Sequence, residues 1–157
     1  MAWTIAKLLT LHHTVLPEAL VRPNELLTVA AEALGGENTT PDNLYVLGTF
    51  RLAADEALVV EFTPPGTRYW NVSVENIWHE CIDARRRHSS VTSAGVTARA
   101  DGTVRVVVSA VPPPSAAEGA TEWLDTGGRH RGFVTIRWLD NPDAPDVRTT
   151  VLPIGDA

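Results

Sequence analysis

The amino-acid sequence predicts a mainly β protein, an antiparallel β-sandwich or jelly roll with a helical segment at its N-terminus. Three observations lead there. From about Leu44 onward, short runs rich in Val, Ile, Thr and aromatic residues alternate with turn signals at antiparallel-sheet spacing. Before Gly35-Gly36 the apolar residues recur at rough helical spacing instead. The length of 157 residues suits one domain able to bury roughly 70% of its unfolded surface.

Taken in order, residues 3–16 place Trp3, Ile5, Ala6, Leu8, Leu9, Leu11 and Val15 on a helical repeat that ends before Pro17. A second helix is expected from Pro23-Asn24 along Leu26, Leu27, Ala30, Ala33 and Leu34 to Gly35-Gly36, since helices favour Pro at the start and Gly past the end. Residues 1–36 thus form a helical lead-in, and residues 37–157 the sandwich domain. The lead-in is apolar beyond one stripe, so it should pack on the rest of the chain or on a second subunit. Strands are expected at 45–53, 57–62, 69–75, 91–99, 103–110, 132–139 and 147–152. Asp101-Gly102 marks the strongest hairpin and Pro64-Pro65-Gly66 a further turn. Val104, Val106 and Val108 alternate with Arg105, Val107 and Ser109, which gives one core face and one mixed face. Two segments interrupt the pattern, 76–90 and the Pro/Gly-rich 111–131. Loops held by a rigid sheet are where sites tend to lie, so these two are expected to meet around a concave site, with 111–131 as a lid or rim.

Composition narrows the function. The net charge is −6, from 13 basic and 19 acidic residues, against the basic field that a phosphate-backbone binder needs. Nucleic acid is therefore not an expected partner. No apolar run reaches membrane-spanning length, so no membrane partner is expected either. Cys81 is the sole cysteine, which excludes an intrachain disulfide and points to a cytoplasmic setting. The first twenty residues match a secretory signal poorly, with one early charge, Lys7, and no cleavage-site pattern. One Lys against twelve Arg reads as genome composition rather than chemistry.

Five stretches then stand in a fixed order: TPDN at 40–43, GTFRL at 48–52, DEALVVE at 55–61, RYWNVSVENIW at 68–78 and LDTGGRHRGFVTIRWL at 124–139. Together they resemble the bacterial domain-of-unknown-function 1214 family, over roughly residues 40–140. The resemblance implies a sandwich of jelly-roll type with no agreed activity. It also implies a neighbour, because such domains often follow a β-rich domain of the 1254 family. That companion is not in this sequence, so a short member and a separately encoded partner domain are expected.

Candidate site residues come from the irregular segments. Trp78 and Trp123 would line a cleft and stack on a ring, a sugar or an aromatic acid, or else serve as core and rim packing. Trp70 and Trp138 lie in strands and are read as core. Asp125 precedes His130 by five residues across Gly127-Gly128, so a turn would bring carboxylate to imidazole as an acid/base pair, or simply close the loop. These two are the candidate catalytic residues. No nucleophile elbow of the G-x-S-x-G kind accompanies them. Asp83, Arg85, Arg86, Arg87 and His88 form the densest charge cluster, from which Arg85 or Arg87 would make a carboxylate- or phosphate-binding fork, with Arg85 and His88 as candidate ligand contacts; the alternative is a salt-bridge network with Glu75, Glu80 or Asp83. Arg51 and Arg137, within strands, need carboxylate partners, for which Glu61, Asp83 and Asp125 are candidates. His79-Glu80 lacks the second His of a zinc helix and His12-His13 point apart, so no metal and no cofactor are expected.

Three functions follow. The first is small-molecule binding through Trp78, Arg85, His88, Trp123 and Arg137. The second is a homo-oligomeric assembly module built on residues 3–34. The third is an enzyme using Asp125 and His130. The sequence offers aromatic and Arg anchors without a complete nucleophile, cofactor loop or metal set, which favours the first.

Overall fold

The computed structural model describes residues 22–29, 43–118, 121–140 and 145–157. These form nine strands: β1 (Leu27–Val29), β2 (Asn43–Arg51), β3 (Glu56–Phe62), β4 (Tyr69–Glu75), β5 (Ser90–Thr92), β6 (Val104–Ser109), β7 (Glu122–Asp125), β8 (Arg131–Leu139) and β9 (Val147–Pro153). They make a five-stranded sheet, β1-β2-β8-β4-β5, and a four-stranded sheet, β7-β6-β3-β9. The two share one core. The first sheet contributes Val46, Phe50, Trp70, Val72, Val74, Val134, Ile136 and Trp138, the second Leu58, Val60, Phe62, Val104, Val106, Val108 and Leu124. Alternation along each strand selects that face. Phe62 closes the centre edge-on to Trp70 at 5.2 Å and Trp138 at 5.7 Å, the geometry that ring quadrupoles favour.

The helical expectation fails where it is described. Residues 27–29, inside the second expected helix, form β1, with Leu27 opposite Leu47 and Val29 opposite Tyr45. Pro23-Asn24 makes a turn instead of a helix start. Asn24 takes a φ of 71° and brackets Arg51, accepting from its backbone N–H at 2.8 Å and donating to its carbonyl at 3.0 Å. Asn tolerates that left-handed backbone because its side chain mimics a peptide group. The chain then passes so close to β2 that a Cβ at Gly48 would collide with the Glu25 carbonyl. A cross-strand seat for Leu27 and Val29 outweighs a helical repeat of only moderate regularity. The expected helix over 3–16, and the ends of the second, lie outside the described residues.

Other corrections concern connections. The turn at Asp101-Gly102 forms, with Gly102 at φ 84° and the Gly102 N–H donating to Arg99 at 2.9 Å, but it does not join a hairpin. β5 stops at Thr92 in one sheet while β6 begins at Val104 in the other, so residues 93–103 cross between layers and cannot stay a strand. Segment 111–131 is a crossover rather than a lid. It carries a 3-10 turn, Pro114–Glu118, and then β7, which pairs parallel to β6. A parallel pair requires the chain to return to its starting end, which is what a long stiff connection does. Val107, expected on a mixed face, is buried with Ala57, Val59 and Ala157, because the 3-10 turn Ile154–Asp156 folds over the second sheet and Ala157 accepts from Ser115 Oγ at 2.6 Å.

Candidate functional site

The second sheet carries a charged cross-strand row. Glu61 on β3 stands opposite Arg105 on β6 and Arg148 on β9, as opposite charges favour in paired strands. Its Oε1 lies 3.2 Å from Arg99 Nη1 and 3.7 Å from Arg105 Nη1. Arg99 is delivered by the Asp101-Gly102 turn. There Asp101 Oδ1 accepts from Thr103 Oγ1 at 2.6 Å and from its backbone N–H at 2.9 Å, and these bonds hold the Asp101 carboxyl below its ordinary range. Beyond Phe62, Pro64 and Pro65 end β3, since proline offers no amide to the ladder. The result is an open pocket of about 410 Å³ lined by Glu61, Phe62, Pro64, Pro65, Arg99 and Arg148, with Asp101, Pro145 and Asp146 beside them. It joins stiff apolar walls to a few converging charges.

A second polar centre lies on the face of the five-stranded sheet away from the core. Glu75 ends β4, 3% exposed. Its Oε1 accepts from Ser73 Oγ at 3.0 Å and lies 3.4 Å from Arg137 Nη2, while Oε2 meets His79 Nδ1 at 2.9 Å. Burial opposes ionisation of Glu75, but the bond from His79, the Arg137 charge and the Ser73 hydroxyl outweigh it, so its pKa is lowered. The His79 ring stacks on Phe133 at 3.8 Å, and the Arg137 guanidinium lies 5.8 Å from the Tyr45 ring centroid. A carboxylate fixed in this way holds the 76–80 turn and orients the imidazole.

The two irregular segments do meet. Arg87 Nη1 lies 2.7 Å from Asp125 Oδ2, the Asp125 N–H donates to the His88 carbonyl at 2.8 Å, and His88 Nε2 is 3.7 Å from Glu122 Oε2. Asp125 and His130 are each engaged elsewhere. Asp125 Oδ1 accepts from the Gly127 N–H at 2.6 Å, with Gly127 at φ 63°, whereas His130 Nδ1 meets the Leu52 carbonyl at 3.1 Å. No hydrogen bond joins the two side chains among the described residues. Trp123 is half-buried on β7 and donates to Ser109 Oγ at 3.0 Å, so it stands on a strand rather than a loop. Trp78 is 59% exposed on the 76–80 turn. Arg85 is exposed, and Arg86 pairs with Asp83 at 3.7 Å. Arg137 has Glu75 as its carboxylate, in place of Glu61, Asp83 or Asp125, and Arg51 is exposed against Asn24. Trp78, Arg85, His88, Trp123 and Arg137 do not line the 410 Å³ pocket.

Sequence reasoning missed Glu75, Ser73 and His79 as one centre, and Glu61, Arg99 and Arg148 as another. The signal present was period-two spacing: Ser73 and Glu75 share a face, but which Arg stands across from them depends on register. Among the described residues no three or more His, Cys, Asp or Glu side chains converge as metal ligands, and no helix is long and apolar enough to cross a membrane.

The crystal structure of an uncharacterised protein from Burkholderia cenocepacia is similar, with a TM-score of 0.81 and 30% identity over 89% of this chain and 38% of that one. The VPA0106 protein from Vibrio parahaemolyticus shares the fold, with a TM-score of 0.52 and 15% identity over 88% of this chain and 42% of that one. The chain thus spans less than half the length of either. No curated protein matches it. Residues 49–143 match the model of the family described as a protein of unknown function, DUF1214, and most of GTFRL with all of DEALVVE, RYWNVSVENIW and LDTGGRHRGFVTIRWL falls within that span, so this chain belongs to the DUF1214 family.

Proposed function

We propose that this protein is a cytoplasmic, small-molecule-binding β-sandwich of jelly-roll type whose ligand occupies the pocket between the end of β3, the Asp101-Gly102 turn and the start of β9. The observation that carries it is the pocket itself, about 410 Å³ with Phe62, Pro64 and Pro65 facing Arg99, Glu61 and Arg148. Small-molecule sites are concavities of that size, and this one divides its lining evenly between apolar and polar surface. The anchors sit on paired strands and tight turns, so little ordering is needed on binding. The test is a ligand-detected NMR screen of the full chain against a mixed metabolite set, followed by mapping of amide shifts. Shifts at residues 61–63, 99–103 and 146–148 support the reading; hits that map only elsewhere overturn it.

A second reading, an assembly module with a partner chain or a second copy, is favoured by the exposed apolar side chains of Ile77 and Trp78 on the 76–80 turn. Size-exclusion chromatography with light scattering checks it, and a strict monomer that captures no companion domain removes it.

A further inference from the structure

The charges around the pocket are unequally shielded. Arg99, Arg105 and Glu61 have side chains 31%, 18% and 38% exposed, and both guanidiniums converge on the single oxygen Glu61 Oε1. Arg105 Nε is buried without a hydrogen-bond partner. The remaining charges are solvated. Asp101 is exposed and its carboxylate is engaged by Thr103. Asp146 and Arg148, at 81% and 77% exposure, face each other at 3.4 Å. Water and salt screen the exposed set, whereas half-buried charges keep more of their field. The shielded set, two guanidiniums against one carboxylate, is net positive; Arg99 and Glu61 line the pocket, and Arg105 stands behind Glu61 outside its lining.

We infer, building on the pocket as the ligand site, that its ligand class is a small organic carboxylate with an apolar or aromatic body. The carboxylate accepts from Arg99 in the forked geometry that a guanidinium offers. The body lies against Phe62, Pro64 and Pro65, which present flat apolar surface with little freedom to lose. Glu61 is the internal competitor. It occupies Arg99 in the ligand-free protein and repels an arriving carboxylate, so its charge lowers affinity and helps release.

The experiment titrates the isotope-labelled full chain with benzoate, benzamide and benzylamine, following the amides of residues 61–63 and 99–103. Benzoate shifts them, benzamide binds at least about ten-fold more weakly, as expected on losing a charge-assisted bond, and benzylamine leaves them unmoved. Arg99→Met abolishes the benzoate shifts. Glu61→Gln tightens benzoate about three-fold, the scale of one half-exposed charge contact. Benzamide or benzylamine binding as well as benzoate overturns the carboxylate class while leaving the pocket as a site. So does a weaker benzoate affinity in a Glu61→Gln protein with unchanged thermal unfolding. If none of the three probes moves these amides, the carboxylate class is overturned, while the metabolite screen decides the pocket itself.

Discussion

Arg87 Nη1 lies 2.7 Å from Asp125 Oδ2 and so ties the segment before β5 of one sheet to β7 of the other. Asp125 is 11% exposed at its side chain and Arg87 44%, which places the pair between a surface contact and a buried one. Arg87→Ala leaves Asp125 with the Gly127 N–H as its described side-chain partner and should destabilise by about 1–2 kcal/mol. Denaturant unfolding at low and high salt measures this, with a smaller loss at high salt. An unchanged midpoint at both would show that the pair contributes nothing.

Glu75 makes stability depend on acid. Its folded pKa lies below the ordinary 4.5 because His79, Arg137 and Ser73 outweigh the burial that opposes its ionisation. The stability it contributes is therefore fully present above that pH and is lost as pH falls through the lower folded value. Glu75→Gln should lower stability at neutral pH and flatten the decline below about pH 4.5. Thermal unfolding across pH 3–7 compares the two slopes, and an equally steep acid limb in the variant would count against this centre.

Gly48 is required by the close passage of the Glu25 carbonyl across β2. Gly48→Ala should push β1 away and cost about 1–3 kcal/mol, as overpacking does. Hydrogen exchange is the direct measurement. Faster exchange at residues 27–29 and 45–47, with β3 and β6 unchanged, is the expected pattern, whereas uniform protection would contradict it.

The tryptophans should separate cleanly. Trp138 is fully buried and packs edge-on against Phe62, so Trp138→Ala should cost about 3–5 kcal/mol. Trp78 is 59% exposed, so Trp78→Ala should change stability by less than about 0.5 kcal/mol. Fluorescence-monitored unfolding of each variant checks both, and a large loss for Trp78 would mean that a partner surface normally covers it.

Much of the β half is legible in the chain itself. Period-two runs such as Val104, Val106 and Val108 place strands because alternate side chains must share a face; six of the seven expected strands recur with ends within two residues, 69–75 unchanged, while 91–99 shrinks to Ser90–Thr92. β1 and β7 escape that logic. Each is three or four residues long, too short to show a period, and exists because a neighbour offers an open edge. Four of the five family stretches, those from GTFRL onward, were readable too, since they are local words; TPDN lies outside the matched residues 49–143.

The candidate sites were not readable. Asp125 and His130 are close in sequence, yet Asp125 turns to Arg87 and His130 to the Leu52 carbonyl. Glu61 meets Arg99 and Arg105, 38 and 44 residues away, and Glu75 meets Arg137, 62 away. By itself the sequence determined the β class, the core face of its longer strands and the family. Only the tertiary structure decided which charges meet, because strand register and sheet order set those distances and neither leaves a local trace in the chain.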